Sequence, residues 1–511
     1  MLVNHFLQDS AAKYPDKVAL VCDGQRLTYQ MLERQTNRMA NALLELGVQR
    51  GDRIAVWLPN SVETVAAIFS ILKVGGTFTV VNSTTKLEKL AYVLNDCAVV
   101  GLFAPGQMGS QVTRLFGSVP SMRFSVLCGK NADEAADPTK GMLEFPQLLE
   151  SNPDGCPDCP AIDVDLACLI YTSGSTGQPK GVMSTHANMV FAASSITEYL
   201  ENVTDDVVIN VLPLSFDYGL YQLLMVVKFG GTLVLERSFA YPAAIMNRIE
   251  QEKVTGLPGV PTLFAMLLSM DLSRFDLSSL RYLTNTAAAL PVEHIQRLQE
   301  AFPWTRLYSM YGLTECKRTL YLPPEELEHR PGSVGIAIPG TEVWIEDEAG
   351  RRLGHGEVGE LVVRGSHVMQ GYWNNPEATA RCYRPGRYPA ERLLYTGDLF
   401  RMDEEGFLYF VSRKDDIIKS RGEKVAPKEI ESVLYRLPEV LEAAVVGVPD
   451  PVLGQAIKAF VVRSNGTHLT AKDVLRHCAQ HLEDFMMPKH VEFRDSLPKT
   501  SSGKIKKTEL G

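Results

Sequence analysis

Short runs of apolar residues alternate along the chain with longer stretches in which apolar positions recur every three or four residues. In the N-terminal part this predicts a strand at 53–58, a helix at 61–73, a strand at 77–82 and a helix at 87–96. Strands that alternate with helices bury both faces of a parallel sheet under crossover helices. The rhythm returns with strands at 207–212, 231–235, 281–285 and 306–311, so the first ~330 residues read as stacked doubly wound α/β units.

After Pro331 the texture changes to glycine-punctuated strands at 333–336, 342–345 and 359–364, the pattern of a β-rich subdomain. A boundary is expected near residue 414. Beyond it, a helix at 427–437, strands at 442–447 and 456–462 and a helix at 471–481 form a small α+β domain. The expected division is thus a large N-terminal domain, 1–414, and a small C-terminal domain, 415–511.

Composition narrows the class. At 511 residues, 45% hydrophobic and 22% charged, the chain is too long for one small module and too ordinary for disorder or a coiled coil. Its net charge is −9 and no basic stripe tracks a phosphate backbone, so nucleic acid is not an expected partner. The apolar run 65–72 is far shorter than the ~20 residues that span a bilayer, and the start has no basic-then-apolar leader, which gives a cytoplasmic expectation without a membrane span. Nine scattered cysteines fit reduced thiols. Cys156 and Cys159 have metal-site spacing, yet no second Cys/His pair lies nearby.

The most informative segment is Thr172-Ser173-Gly174-Ser175-Thr176-Gly177-Gln178-Pro179-Lys180-Gly181, which follows a short buried strand. Glycines and hydroxyls there can present N–H and O–H groups to phosphate oxygens, and Lys180 adds charge. A Walker loop would need Gly-Lys-Ser/Thr, whereas Lys180 stands between Pro179 and Gly181. The segment resembles the phosphate-binding signature of the adenylate-forming superfamily, which comprises acyl-CoA synthetases, aminoacyl-adenylating domains and luciferases.

Four further segments match that superfamily in order. Tyr311-Gly312-Leu313-Thr314-Glu315 resembles the segment whose aromatic ring lies against adenine, whose threonine contacts phosphate and whose glutamate helps to hold Mg2+. Tyr395-Thr396-Gly397-Asp398-Leu399 resembles the ribose motif, and a carboxylate such as Asp398, an acceptor-only group, suits a diol. In the segment from Ser412 to Val425, the resemblance makes Arg413 a ribose or phosphate contact, Asp415 the hinge and Gly422 the point of close approach to a phosphopantetheine arm. Lys424 stands where the family usually has arginine, keeping the charge without the bidentate fork. Near the end, Pro498-Lys499-Thr500-Ser501-Ser502-Gly503-Lys504 resembles the closing motif, with Lys504 as the catalytic lysine.

The resemblance implies an AMP-forming ligase that uses ATP and Mg2+. A carboxylate is first adenylated, with Lys504 brought in by a mobile C-terminal lid, and is then passed to a phosphopantetheine thiol. For the acid, Phe216 and Asp217 resemble the pair of aminoacyl-adenylating domains, in which the aspartate binds the substrate ammonium, with Tyr218 and Tyr221 as candidate pocket walls. The leading expectation is an amino acid delivered to a discrete carrier protein. The alternative is a fatty or aromatic acid delivered to coenzyme A, with Asp217 paired to a protein cation such as Arg318. His186, just after the phosphate loop, reads as structural.

Overall fold

A computed structural model describes residues 1–173, 179–389, 391–420, 423–450, 453–464, 466–500 and 503–510, with backbone only for Ser173, Lys419 and Lys424. It is a mixed α/β protein with a large N-terminal domain of sheets and a small C-terminal domain. Among the described residues, two large sheets dominate. The nine-stranded sheet is parallel through Val18–Cys22, Thr232–Leu235, Val207–Asn210, Gly256–Gly259, Tyr282–Asn285 and Arg306–Leu313, and antiparallel strands close both its edges. The seven-stranded sheet runs parallel from Met142–Glu144 through Arg53–Val56 and Thr77–Val80 to Leu166–Ser173, then turns back antiparallel into Pro179–Thr185.

The largest hydrophobic core draws residues from both sheets and from the helices Tyr29–Glu45, Val62–Lys73 and Asp217–Phe229. Val62–Lys73 is apolar on nearly every side and buried throughout, as a helix inside a core must be. Ser61 caps its start by accepting from the Thr64 N–H. Its buried Lys73 ends on Glu33 and Asn37, each 2.5 Å away. The apolar run 65–72 is thus a core helix, and among the described residues no helix is long and apolar enough to cross a membrane.

The β-rich subdomain is a five-stranded antiparallel sheet containing Thr341–Glu346, Val358–Gly365, Arg392–Met402 and Leu408–Arg413. One expectation is corrected here. The strand expected at 333–336 is Ile336–Ala337, and it pairs with Lys317–Tyr321 at the edge of the nine-stranded sheet, outside the subdomain. Sequence period reveals which face a strand buries but not which strand lies beside it.

The C-terminal sheet pairs Val440–Asp450 with Gly454–Arg463 antiparallel and adds His490–Phe493 in parallel, under the helices Pro427–Tyr435 and Ala471–His481. It has its own core, built from Ile418, Ile430, Leu434, Val445, Ile457, Val461 and Val474. It rests against the large domain where Lys428 donates to the Phe410 carbonyl at 3.1 Å, where Tyr435 meets His294 and where Gly503 faces Thr262.

Candidate active site

The phosphate-loop candidates sit on a hairpin whose strands pair Thr172 with Lys180 and Ser173 with Pro179. Gly174, Ser175, Thr176 and Gly177 lie outside the described residues, as does the Ser173 side chain. The strand carrying Lys180 continues into Thr185, which caps the helix His186–Tyr199 in a reciprocal box with Asn188. His186, fully buried, accepts from the Val3 N–H at 3.1 Å, a structural task. Burial pushes its pKa down to about 4.

Lys180 leads to a residue that the motifs did not single out. Its Nζ lies 5.4 Å from the Tyr372 ring centroid, and the Tyr372 hydroxyl donates to Glu315 Oε1 at 2.7 Å. Tyr372 reaches this position through a bridge to Val182 and the Trp373 N–H bond to the Gly181 carbonyl. Its only local signal is Gly371, whose φ of +119° permits the bend before it. The two halves of the nucleotide signature are thereby joined across 135 residues of chain, from Lys180 to Glu315.

Tyr311 and Asp398 are also joined. Asp398 is buried, and it accepts from the Tyr311 hydroxyl at 2.7 Å on one oxygen and from Arg413 Nε at 2.9 Å on the other. The Tyr311 ring packs edge-on against Phe400 at 4.9 Å. A carboxylate has about four lone-pair sites, so Asp398 retains acceptor capacity beyond these two bonds. Burial opposes the charge on Arg413, but the adjoining Asp398 outweighs it and holds the guanidinium firmly protonated. Beside it, Glu360 accepts from both the Gly397 N–H and Lys414, which ties the ribose motif to the chain entering the small domain. Asp415 follows, exposed, in a single 3-10 turn, while Gly422 lies outside the described residues.

Lys504 comes from the small domain, on a loop closed by the Lys504 N–H bond to Thr500 Oγ1 at 3.0 Å. It is exposed by surface area, yet its surroundings desolvate it. Burial and then repulsion from Arg413 lower its pKa, while Asp398, Asp217 and Glu315 oppose the shift. Arg413, Asp398 and Glu315 come from three different motifs and Asp217 from the Phe216–Asp217 pair, and the charges of all four act on Lys504.

Asp217 opens the helix Asp217–Phe229 and is 8% exposed. The preceding turn is fixed by Asn60, which donates to the Leu212 and Glu236 carbonyls and accepts from the Leu214 N–H. Phe216 sits edge-on to Tyr218, whose hydroxyl bonds Thr284. The protein cation offered for Asp217 in the alternative reading is Arg318. Instead, Lys317 and Lys504 feel the Asp217 charge, while Arg318 stacks on Tyr218 at 4.5 Å and Tyr221 at 5.8 Å.

Thr314 and Glu315 form the half-buried turn between strands Arg306–Leu313 and Lys317–Tyr321. The turn needs Gly312, because a Cβ there would fall 1.7 Å from the Lys317 carbonyl oxygen. It also holds Lys317 at a φ of +54°, a left-handed conformation that costs a non-glycine residue about 1 kcal/mol or more.

Similarity to known proteins extends along the whole chain. A model of the AMP-binding enzyme family matches residues 7–373, and one of the AMP-binding enzyme C-terminal domain matches residues 429–504. A long-chain-fatty-acid–CoA ligase of Bacillus subtilis (strain 168) is 32% identical over 99% of this chain and 93% of its own. A feruloyl-CoA synthase of an Amycolatopsis species is 33% identical over 97% and 96%. The crystal structure of the anthranilate CoA ligase AuaEII with anthranoyl-AMP superposes with a TM-score of 0.92 at 27% identity, covering 100% of this chain and 96% of that one. Fold and chain-long similarity together define an AMP-forming acid–thiol ligase. The chain belongs to the AMP-binding enzyme family.

Proposed function

We propose that the protein is an acyl- or aryl-CoA ligase that uses ATP to adenylate a carboxylic acid and free coenzyme A to accept it. One observation carries the choice of acid. The Asp217 charge is felt by two protein cations, Lys317 and Lys504, so an added substrate ammonium would meet like charge nearby. The two curated relatives described above are CoA ligases of a fatty and an aromatic acid, which supports coenzyme A over a carrier protein and the non-amino acid over the amino acid.

A carboxylate does not yield a thioester unaided, since the leaving group would be oxide. In the proposed reaction it attacks the α-phosphorus of ATP and pyrophosphate departs. The thiol then attacks the acyl carbon and AMP leaves. Asp398 accepts from the ribose diol and Arg413 holds that carboxylate in place. Lys504 sets a positive charge beside the acid and the α-phosphate as negative charge gathers there. The Glu315 carboxylate and Thr314 hydroxyl are hard oxygen donors of the kind that suit Mg2+, which would neutralise phosphate charge when bound. The small domain, residues 415–511 turning at Asp415, acts as a lid that presents Lys504 for adenylation and another face, with Gly422, for thioester formation.

The test is product analysis with ATP, Mg2+, coenzyme A and a panel of fatty, aryl and amino acids. Acyl-CoA with stoichiometric AMP and pyrophosphate is expected. Pyrophosphate release with an amino acid alone, and no CoA thioester from any acid, would return the reading to an aminoacyl ligase.

A further inference from the structure

Lys317 and Arg318 are two adjacent cations inside the protein, 1% and 2% exposed in relative surface. Among the described residues, Lys317 Nζ and all three guanidinium nitrogens of Arg318 lack a hydrogen-bond partner. The Tyr221 hydroxyl, also buried, lacks one as well. Their contacts are aromatic faces: Arg318 over Tyr218 and Tyr221, and Lys317 over Tyr221 at 5.4 Å. Aromatic faces temper a desolvated cation but accept no hydrogen bond in the plane of a guanidinium. Burial without a paired anion is costly, and a protein keeps such groups where a ligand completes them.

The place of the pair identifies that ligand. Lys317 and Arg318 begin two residues after Glu315, on the return strand of the same hairpin, and the strained φ of Lys317 holds it there. Burial lowers the Lys317 pKa, and Asp217, the group also felt by Lys504, is the strongest opposing charge. Asp217 opens the helix that carries Tyr218 and Tyr221, the rings the two cations cover, so the pair adjoins the wall that begins at Asp217. They come from the wall beside Tyr218 and Tyr221, where the body of the acid would lie.

We propose that Lys317, Arg318 and the Tyr221 hydroxyl receive a second carboxylate on the acid substrate, so that the preferred substrate is a dicarboxylic acid activated at its other end. The inference rests on the acyl-CoA ligase reading and narrows its substrate class. Donors built to pair a substrate group reject the analogue that lacks it, because they are left buried and unpaired.

The experiment compares aliphatic and aromatic dicarboxylic acids with their own monomethyl esters, using the wild-type protein, ATP, Mg2+ and coenzyme A. The expected kcat/KM for the best dicarboxylic acid is about 100-fold or more above that of its monoester. In Arg318→Met and Lys317→Met this ratio should collapse, while the Tm of the unliganded protein holds or rises because an unneutralised cation has been removed. A wild-type preference for the monoester or for simple monocarboxylic acids would overturn the proposal, as would a ratio that survives in the folded variants. If the variants do not fold, the wild-type ratio alone decides. If no acid yields a CoA thioester, the ligase reading fails separately, and thermal shift still decides the pair: the dicarboxylic acid should raise Tm where its monoester does not.

Discussion

Tyr372 donates its hydroxyl hydrogen to Glu315 at 2.7 Å while Lys180 lies over its ring, so one phenol contacts both the acidic and the basic side of the proposed nucleotide site. Tyr372→Phe keeps the ring and removes the bond. The expected result is a roughly 10-fold slower adenylation and a higher Mg2+ requirement, because Glu315 loses its fixed rotamer, at a stability cost of only ~1 kcal/mol. Pyrophosphate release titrated with Mg2+ checks it; an unchanged Mg2+ curve would show the bond to be incidental.

Lys504 lies in the combined field of Arg413, Asp398, Asp217 and Glu315 in this arrangement of the two domains. If its charge serves only the first half-reaction, Lys504→Ala should slow adenylate formation by about 100-fold or more yet leave thioester formation from a preformed acyl-adenylate near the wild-type rate. Equal loss in both assays would mean that the lysine is structural or serves both steps.

Much of this arrangement could be read from the chain, for definite reasons. The helices at 87–96 and 471–481 have the ends that the periodicity predicts, and the second starts at a Thr470–Asp473 capping box. Tyr311, Asp398 and Arg413 sit in motifs, and hydrogen bonds join them in the structure. Tyr372 was not legible, because it reaches Glu315 only through a long-range bridge to Val182. The lone-cation character of Lys317 was hidden as well. Adjacent charges usually mark a solvated edge, and only the tertiary fold shows them buried among Tyr218 and Tyr221.

Gly312 is the tightest point of the site's backbone, since a Cβ would meet the Lys317 carbonyl oxygen at 1.7 Å and that atom belongs to the main chain. Neither strand can yield without shifting Tyr311, Glu315 or the Lys317–Arg318 pair. Gly312→Ala should therefore lower stability by several kcal/mol, read as a large fall in Tm or in soluble yield. A folded variant with a wild-type Tm and normal adenylation would show that the hairpin relaxes freely.

Acid should destabilise the large domain through two buried imidazoles. His186 and His367 are fully buried, and burial pulls each pKa from an ordinary 6.5 down to about 4; for His186 the nearby His5 and N-terminus add to this while Asp165 opposes it. Because the folded values lie below the unfolded ones, the unfolded chain takes up these protons first as pH falls. Their contribution is complete above about pH 6.5 and is lost toward about pH 4, at no more than ~1.4 kcal/mol per pH unit for each histidine. Protonating His186 would also turn the acceptor of the Val3 N–H into a donor. Urea unfolding between pH 7 and 4.5 should show stability falling throughout, with a slope reduced by about one proton in His186→Gln. The glutamine carbonyl can still accept from Val3, so an unchanged slope would assign the acid sensitivity to other groups.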